Sequence, residues 1–434
     1  MPEFLDLYVQ DLLSKAKWIR EAYFQVGSQL TTKYLKDAFY EYWVSRNLPK
    51  ASPNEFEILA VDSSSQHYAT SNGGIFYVVR GLAISGADVK YRKVYVGFDY
   101  SPSEKYGEVI SRMMEWLEHE IILEALSSGF KGYVLIDGSI YGRLAHVPLE
   151  MELAYNRGFM IKYFETLIKL LNVAKEKNVS LIGISKESKA PFFREFLIRD
   201  IVLKLAKEYG IDESEINFLL TMALDRKREV IDIIGRMPDI IIIRELMREL
   251  MKEYITRKPD FQLIMNYAKA PGYSAPLLLS APARTRRAFE LINSNPEKYL
   301  RSAFPLLSTD ENFAKHALNI IKELPKLPSI ISFHVLPQSN DTPLRVDIPA
   351  WVYGIERRLS EISFTETVDI NIDKILKIIS AGYCGLENYN IWLTAVDKEV
   401  KLRRNVFENI YLPKFEEIIG RTATSRGYRR VRFP

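Results

Sequence analysis

Short runs of β-branched and aromatic residues alternate along the chain with longer stretches whose apolar positions are three or four residues apart. Runs of the first kind at 58–62, 73–85 and 92–100 predict three neighbouring strands in a meander. Helical spacing of apolar positions from 103 to 128 predicts a helix, and an apolar run at 133–137 predicts a fourth strand. The first part of the chain therefore has the order strand, strand, strand, helix, strand.

The same patterns continue toward residue 185. Helical spacing predicts a helix from about 148 to 177, and the apolar run at 180–185 predicts a fifth strand. This element order is that of a ribonuclease H-like fold, a mixed sheet in which the first and fourth strands lie side by side. The predicted fold class is α/β, with a ribonuclease H-like mixed-sheet core, flanking helices and a helical insertion.

Changes in composition divide the chain into five parts. We predict an N-terminal helical segment (1–50), the first part of the ribonuclease H-like core (51–190), a charge-rich helical insertion or subdomain (191–270), the remainder of the domain (271–420) and a basic tail (421–434). Further strands are predicted at 329–336 and 344–352, and further helical stretches at 4–45, 369–381 and 397–419.

Composition narrows the class of protein. The 434 residues are 47% hydrophobic and 26% charged with a net charge of +4, which is typical of a soluble globular protein and does not by itself require a polyanionic partner. The single cysteine, Cys384, excludes disulfides within the chain and favours a reducing compartment. Because the chain has neither a basic-then-apolar leader nor a run of roughly 18 apolar residues, we expect a cytoplasmic protein without a membrane segment.

Two aspartates end apolar runs in the same way. Asp62 follows the run in "ILAVDSSSQ", and Asp137 follows the run in "YVLIDGS". Either residue alone is more often a turn or helix-cap residue, but the element order puts both on adjacent strands. Converging carboxylates repel each other unless a cation lies between them, and hard oxygen ligands suit Mg²⁺ or Mn²⁺. The pair therefore predicts a divalent-metal site and metal-assisted phosphodiester hydrolysis.

A third acid is expected from the helix between these strands. Glu120 and Glu124 both flank the apolar stripe on the side of Leu117 and Ile121, whereas helical phase predicts that Glu118 points away from it. Periodicity alone leaves Glu120 and Glu124 as alternatives.

Several other polar residues have both a functional and a structural interpretation. Lys186 either contacts a scissile phosphate or is a solvated lysine before the next helix. Asp347 is either a fourth acid or the ion-pair partner of Arg345 or Arg357, and His334 is predicted to be a core histidine. Arginines interleaved with aromatic residues make the tail a candidate for DNA contact through phosphate binding and base stacking. The tail arginines assigned to DNA are Arg426, Arg429 and Arg430.

Motifs for several other chemistries do not occur in the sequence. It contains no G-x-x-x-x-G-K-[ST] loop, no H-E-x-x-H and no G-x-S-x-G. These absences argue against a nucleotide-driven motor, a zinc protease of that type and a serine hydrolase.

Five short motifs occur in order over most of the chain: "AVDSSSQ", "VLIDGSIYG", "LIGISKES", "LRVDIPAW" and "SAGYCGLENYN". The ordered set resembles the NurA nuclease family, whose archaeal and bacterial members work with the HerA hexameric translocase in resecting DNA ends. The resemblance implies a ring-like homodimer through which DNA passes, with Mn²⁺ as preferred cofactor and Mg²⁺ as a substitute. It further implies single-strand endonuclease and 5′–3′ exonuclease activity in double-strand break repair by homologous recombination.

The resemblance also assigns residues. Asp62 and Asp137 match metal-binding aspartates, Glu120 matches the helix glutamate by its distance from Asp137, and Tyr383 matches a late tyrosine associated with activity. The implied catalytic set is these four residues, of which the three acids hold metal. The sequence departs from the family pattern at Cys384, where proline is typical, and it lacks the histidine that usually follows the tyrosine.

Two other functions compete with the nuclease hypothesis. The missing histidine favours a catalytically weak or inert dimeric adaptor that binds DNA or caps a translocase ring. A ribonuclease H-like enzyme acting on an RNA-containing substrate is the second alternative, because the same fold and acids serve that chemistry.

Overall fold

The structure is a computed structural model that describes residues 2–24, 27–86, 89–101, 106–225, 228–237 and 243–420. The strands are β1 (Trp43–Ser45), β2 (Ile58–Ala69), β3 (Ile75–Ser85), β4 (Lys90–Asp99), β5 (Tyr133–Asp137), β6 (Ser180–Ser185), β7 (Gly272–Ser274), β8 (Leu277–Leu278), β9 (Ile330–Leu336), β10 (Leu344–Pro349) and β11 (Glu366–Thr367).

The helices occur singly and in runs between these strands, the longest run being α6 to α10. They are α1 (Pro2–Phe24), α2 (Thr31–Glu41), α3 (Tyr106–Ser127), α4 (Ile140–Leu144), α5 (Phe159–Glu176), α6 (Phe192–Tyr209), α7 (Glu213–Leu224), α8 (Glu229–Arg236), α9 (Arg244–Thr256), α10 (Asp260–Tyr267), α11 (Ala283–Ser294), α12 (Pro296–Ala303), α13 (Glu311–Ile321), α14 (Asp373–Gly382), α15 (Ile391–Val400), α16 (Arg404–Val406) and α17 (Leu412–Ile419).

The strands form one mixed sheet in the part of the chain that the structure describes. Its order is β1-β7-β9-β10-β6-β5-β2-β3-β4, with β8 and β11 attached beside β9. β2, β3 and β4 form an antiparallel meander, whereas β5 is parallel to β2 and β6 is parallel to β5. The first and fourth strands of the predicted order are therefore neighbours, and the predicted ribonuclease H-like α/β fold is confirmed.

The sheet separates two apolar cores. Because successive residues of a strand point to opposite faces, Leu59 and Val61 of β2 belong to the core under α3 and α5. Ile58 and Ala60 belong to the core under α14 and α15. Each side chain of β2 can thus be placed on one of the two faces.

β2 extends beyond its parallel partner. Its pairing with β5 ends at Val61, whereas its pairing with β3 continues to Ala69, so the strand runs past its predicted end. The extension is tied to the C-terminal part of the chain through Leu402. The Leu402 N–H donates to Ser64 Oγ at 2.9 Å, and its carbonyl accepts from Gln66 Nε2 at 3.1 Å.

The helix predicted from about 148 begins only at Phe159. Asp99, which is buried at the end of β4, holds the preceding loop in an irregular conformation. Its carboxylate accepts from the N–H groups of Ala154 at 2.8 Å and Tyr155 at 3.1 Å. A long-range carboxylate thus satisfies backbone donors that a longer helix would have paired internally.

Helical stretches near both ends of the chain are divided. The stretch predicted at 4–45 forms α1, α2 and the short strand β1. The last predicted helix, 397–419, overlaps α15, α16, a short π-helix (Phe407–Tyr411) and α17. The first of them, α15, begins at Ile391 because the Asn390 side chain caps it, accepting from the Leu393 N–H at 3.0 Å.

The range 191–270 contains α6 to α10, as its charge-rich helical pattern predicts. Asp260 caps α6 by accepting from the N–H groups of Phe193 at 3.0 Å and Arg194 at 2.8 Å. The buried Arg194 side chain in turn lies 3.4 Å from Glu253, which links α6 to α9. The five-part division of the chain stays a prediction. None of the helices described is both long enough and apolar enough to cross a membrane.

Candidate active site

The two predicted aspartates lie side by side in the sheet. The parallel pairing of β2 with β5 ends at Val61 and Ile136, so Asp62 and Asp137 are the next residues of the two strands. By alternation both side chains are on the face that α14 and α15 cover. The strands part at this point, because β5 ends while β2 continues. The structure therefore brings together the two acids that the sequence singled out.

The Asp62 carboxyl is in an environment that disfavours its charge. Burial raises its pKa to about 8, and the negative charges of Glu118 and Asp137 add to the rise. The Ser63 N–H donates to Asp62 Oδ1 at 2.7 Å and opposes the rise. Near neutral pH this carboxyl therefore keeps its proton unless a cation offsets the neighbouring charges.

Asp137 contacts one cation and one hydroxyl. Its Oδ2 lies 3.3 Å from Lys186 Nζ and accepts a hydrogen bond from the Tyr389 hydroxyl at 3.0 Å. The Lys186 ammonium also lies 4.7 Å from the centre of the Tyr389 ring. Burial and the charge of Asp137 raise the pKa of Tyr389, so its hydroxyl stays protonated and donates. Lys186 is exposed, which leaves its ammonium accessible to an anionic ligand.

Glu118 lies on α3, on the opposite face of the sheet, and acts on Asp62 through its charge. The Ser63 hydroxyl donates to it, and Arg143 forms a close ion pair with it. Glu118 and Arg143 are each 4% exposed. Burial raises the pKa of Glu118, although Arg143 opposes that rise. The prediction that Glu118 points away from the buried stripe is wrong, because a buried arginine from α4 supplies the partner that lets this acid face inward.

Glu120 and Glu124, the two alternatives for the helix acid, face another part of the molecule. Their carboxylates lie 3.5 Å and 3.4 Å from Lys93 Nζ on β4. Both side chains are partly exposed, and Glu120 also accepts from the Thr166 hydroxyl at 3.3 Å. The largest charge contributions to the raised pKa of Asp62 come from other acids, namely Glu118, Asp137 and Asp397. The structure thus places Glu120 beside Lys93 and not beside the two aspartates.

The late motif contributes a tyrosine, but a different one from the residue assigned by resemblance. The Tyr383 hydroxyl donates to Asp341 and lies 3.4 Å from Gln338 Oε1, so Tyr383 belongs to another cluster. Tyr389, six residues later in the same motif, is the tyrosine that contacts Asp137. A sequence signal for it exists, since it precedes the Asn390 cap and is thereby fixed to the start of α15.

Asp397 is a further acid that the sequence reasoning missed. α15 packs on β2 and β5 and buries Leu393 and Val396 in the core beneath it. The Asp397 charge contributes to the raised pKa values of both Asp62 and Tyr389. It therefore lies close to the face that carries the two strand aspartates. Only the packing of α15 identifies it, because the sequence around it is that of an ordinary amphipathic helix.

The other polar residues singled out from the sequence, Asp347, His334 and the tail arginines, lie on other strands than the two aspartates or outside the described residues. Asp347 is fully buried and forms a two-bond ion pair with Arg345, at 3.1 Å from Nε and 3.0 Å from Nη2. His334 is a buried residue of β9 whose Nε2 lies 3.7 Å from Asp260, consistent with the core position predicted for it. The tail residues Arg426, Arg429 and Arg430 lie outside the described residues.

The acidic residues fit a divalent cation by the chemistry of their donors. Within the described ranges no three His, Cys, Asp or Glu side chains are already arranged as a closed metal-binding cluster. Asp62 and Asp137 nevertheless share one face, and the charges of Glu118, Asp137 and Asp397 act on Asp62. Carboxylate oxygens in such excess are the donors that Mg²⁺ and Mn²⁺ prefer, and a cation would remove the repulsion that protonates Asp62.

Binding of Mn²⁺ at this site is expected to release protons in a pH-dependent way. Asp62 has a pKa of about 8 in the folded chain, so at about pH 6.5 a cation must displace its proton, and at about pH 9 it need not. We expect close to one proton per ion at the lower pH and almost none at the higher. Calorimetry in buffers with different ionisation enthalpies measures this number. Asp62→Asn is the control, since it has no proton to lose, and release that is the same at both pH values would contradict the prediction.

The fold and site define a class of protein: a ribonuclease H-like α/β protein with an acidic site at the point where its central parallel strands part. The chain belongs to the NurA family, since the family model, a NurA domain, matches residues 56–402.

Comparison with solved structures agrees with this fold. The crystal structure of the NurA nuclease from Sulfolobus solfataricus is 14% identical, covers 96% of this chain and 97% of its own, and has a TM-score of 0.54. A crystal structure of NurA bound to dAMP and manganese is 15% identical, with 91% and 95% covered and a TM-score of 0.39. A comparison with curated protein sequences found no match.

Proposed function

We propose that the protein is a DNA nuclease that hydrolyses phosphodiester bonds with a divalent metal, Mn²⁺ by preference and Mg²⁺ as a substitute. The observation that carries the proposal is the pair Asp62 and Asp137 on one face of adjacent parallel strands, with Lys186, which follows β6, paired to Asp137. Membership in the NurA family and the related structure bound to manganese support it.

The residues of this site have separate roles in the proposal. Asp62 and Asp137 would hold the metal, which when bound would activate water and stabilise the leaving oxygen. The exposed Lys186 ammonium binds the phosphate of the strand to be cut. The Tyr389 hydroxyl fixes the rotamer of Asp137 by donating to Oδ2. Glu120 is not retained as a ligand, because its contact with Lys93 accounts for its position.

The biological setting belongs to the same proposal. We infer action on single strands and duplex ends, in 5′–3′ and endonucleolytic modes, with a HerA-type translocase in double-strand break resection in the cytoplasm. The NurA family match supports this setting. The basic tail is retained as a DNA contact because arginines and aromatic rings suit that role.

A homodimer is also part of the proposal. Helix α1 exposes large apolar side chains along its length, an arrangement that a second copy would cover. These side chains are Phe4, Leu5, Leu7, Tyr8, Val9, Leu12, Leu13, Trp18, Ile19 and Tyr23. Light scattering of the full chain and of a variant without residues 1–24 tests the idea. A dimer that persists unchanged in the shortened chain would remove α1 from the interface.

The experiment that tests the nuclease proposal is digestion of end-labelled single- and double-stranded DNA with Mn²⁺, Mg²⁺ or EDTA. Matched RNA and RNA–DNA hybrid substrates are included. Cleavage of DNA that needs a divalent metal supports the proposal, whereas preferential cleavage of RNA or hybrid would favour the ribonuclease H-like alternative. A folded protein that binds DNA and cuts nothing under any metal would favour the adaptor.

The adaptor remains the second candidate because of one structural observation. Glu118, the buried acid that acts on Asp62, is held by Arg143, and the described carboxylates do not form a closed metal-binding cluster. An adaptor would need the fold of this family but would not need carboxylates arranged to bind a metal ion.

The two tyrosines of the late motif give a matched pair of variants. Tyr389→Phe removes the hydroxyl that donates to Asp137, and we expect kcat to fall by about tenfold because only the exposed Lys186 then orients this carboxylate. Tyr383→Phe removes a hydroxyl that donates to Asp341 and is expected to change kcat by less than about twofold. Steady-state kinetics on one labelled oligonucleotide compares them. A larger loss of kcat in Tyr383→Phe than in Tyr389→Phe would support Tyr383, the tyrosine assigned from the sequence.

A further inference from the structure

The two loops that carry Asp137 and Lys186 have the same local construction. Each site residue is followed by a residue with positive φ, Gly138 at 114° and Glu187 at 54°. Each is then followed by a serine, Ser139 in the first loop and Ser188 in the second. Positive φ is unfavourable for a glutamate, so the second turn needs an external contact to hold it.

A single buried ion pair supplies that contact to both loops. Asp347 Oδ2 accepts from the Ser139 hydroxyl at 2.6 Å. Arg345 Nη1 donates to the Ser188 hydroxyl at 2.9 Å. Arg345 and Asp347 bond to each other through two N–H groups, and they are 5% and 0% exposed. Neither Arg345 nor Asp347 can therefore rotate away from its serine without breaking the ion pair that joins them.

The pair itself is held rigidly in the sheet. Its strand, β10, lies between β6 and β9, and Asp347 is opposite Gly183 on one side and Ser332 on the other. The Ser332 hydroxyl also donates to Asp347 Oδ1 at 2.9 Å. Asp347 accepts in addition from the Tyr141 N–H at 3.2 Å, at the start of α4. The charges are thus fixed by the strand pairing on both sides.

We propose that the Arg345–Asp347 ion pair is a positioning device that sets the distance between Asp137 and Lys186 by holding the turn after each residue. Asp347 holds the turn after the metal-binding aspartate, and Arg345 holds the turn after the phosphate-binding lysine. The inference rests on the proposed function for those two roles. It gives the motif "LRVDIPAW" a positioning role, since both charges of the pair are buried and bonded to each other.

The two serines allow the halves of the device to be tested separately. Ser139→Ala is expected to weaken Mn²⁺ binding by about tenfold and to leave the affinity for a single-stranded oligonucleotide in EDTA unchanged. Ser188→Ala is expected to do the reverse, weakening oligonucleotide binding about threefold to tenfold with Mn²⁺ binding unchanged. Calorimetry with Mn²⁺ alone and fluorescence anisotropy with a labelled oligonucleotide measure the two affinities.

Ser332→Ala is the matched control. It removes a hydrogen bond from the same carboxylate without touching either loop, so both affinities should stay within about twofold of the wild type. Asp347→Asn should weaken both affinities together, because it removes the charge that orients Arg345. Loss of both affinities in Ser332→Ala, or of neither in the other three variants, would overturn the proposal.

Hydrogen–deuterium exchange separates failure of this inference from failure of the proposed function. Asp347→Asn leaves both serines in place, with their local hydrogen bonds from the Gly142 and Ala190 N–H groups, and should raise exchange in both 138–142 and 186–190. Ser332→Ala should raise it in neither. This pattern supports the device even if the wild-type protein binds neither Mn²⁺ nor DNA, in which case the nuclease proposal alone fails. Unchanged exchange in both loops would reject the device whatever the activity.

Discussion

Replacing Asp137 with asparagine is expected to lower metal-dependent DNA cleavage by roughly 10²–10³-fold with little change in thermal stability. The amide has the shape of the carboxylate and still accepts from Tyr389, so the packing at the end of β5 is retained. It lacks the charge that a divalent cation requires and that pairs with Lys186. The measurement is the initial rate of cleavage with Mn²⁺, together with a thermal melt in EDTA.

Asp341→Asn is the matched control for this variant. Asp341 is also a carboxylate that accepts a tyrosine hydroxyl, in its case from Tyr383, but it lies outside the proposed site. We expect its cleavage rate to stay within about threefold of the wild type. A cleavage rate close to wild type in Asp137→Asn would show that the reaction does not need this carboxylate. It would also contradict the proposed metal site at the two strands.

Replacing Arg143 with methionine is expected to lower the free energy of unfolding by about 3–5 kcal/mol. The pair that Arg143 forms with Glu118 is almost fully buried, so the substitution leaves a carboxylate in an apolar environment without its counter-charge. Burial already raises the pKa of Glu118, and the loss of Arg143 raises it further. Denaturant unfolding followed by circular dichroism gives the change.

Two further variants are compared with Arg143→Met. Lys93→Met breaks the partly exposed pairs with Glu120 and Glu124 on the same helix, and we expect a loss of only about 0–1 kcal/mol. The double variant Arg143→Met with Glu118→Gln should be more stable than Arg143→Met alone, because no charge is then left buried. If Arg143→Met cost no more than Lys93→Met, Glu118 would have to be solvated or protonated already, and its effect on Asp62 would be lost.

The sheet and the two strand aspartates could be predicted because the information for them is local. The apolar runs at 133–137 and 180–185 have the same bounds in the sequence and in the structure, since each ends where polar and glycine residues begin. The convergence of Asp62 with Asp137 could be predicted from element order, because the ribonuclease H-like fold that this order predicts makes their strands neighbours.

The helix acid could not be predicted because its partner is distant in sequence. The structure buries Glu118 on an inward face of α3, whereas the hydrophobic pattern of the helix predicts that this charged residue points away from the core. Arg143 makes the buried position favourable by pairing with Glu118, but no sequence pattern predicts that α4 brings Arg143 next to Glu118. Tyr383 and Tyr389 illustrate a related limit, because the Asn390 cap fixes Tyr389 to the start of α15 but only the fold shows that this tyrosine contacts Asp137.

The extension of β2 beyond β5 has a mechanical consequence for the site. Asp62 is on a three-stranded ribbon and Asp137 is at the end of a parallel pair, and the two pieces are joined only as far as Val61. Twisting of the ribbon about this junction changes the separation of the two carboxylates directly. Leu402, which is bonded to the ribbon on both sides of its backbone, resists that twist. The contacts of Leu402 therefore stabilise the distance between the two acids. Removing these contacts should broaden the range of ion sizes that a metal site at these acids would accept.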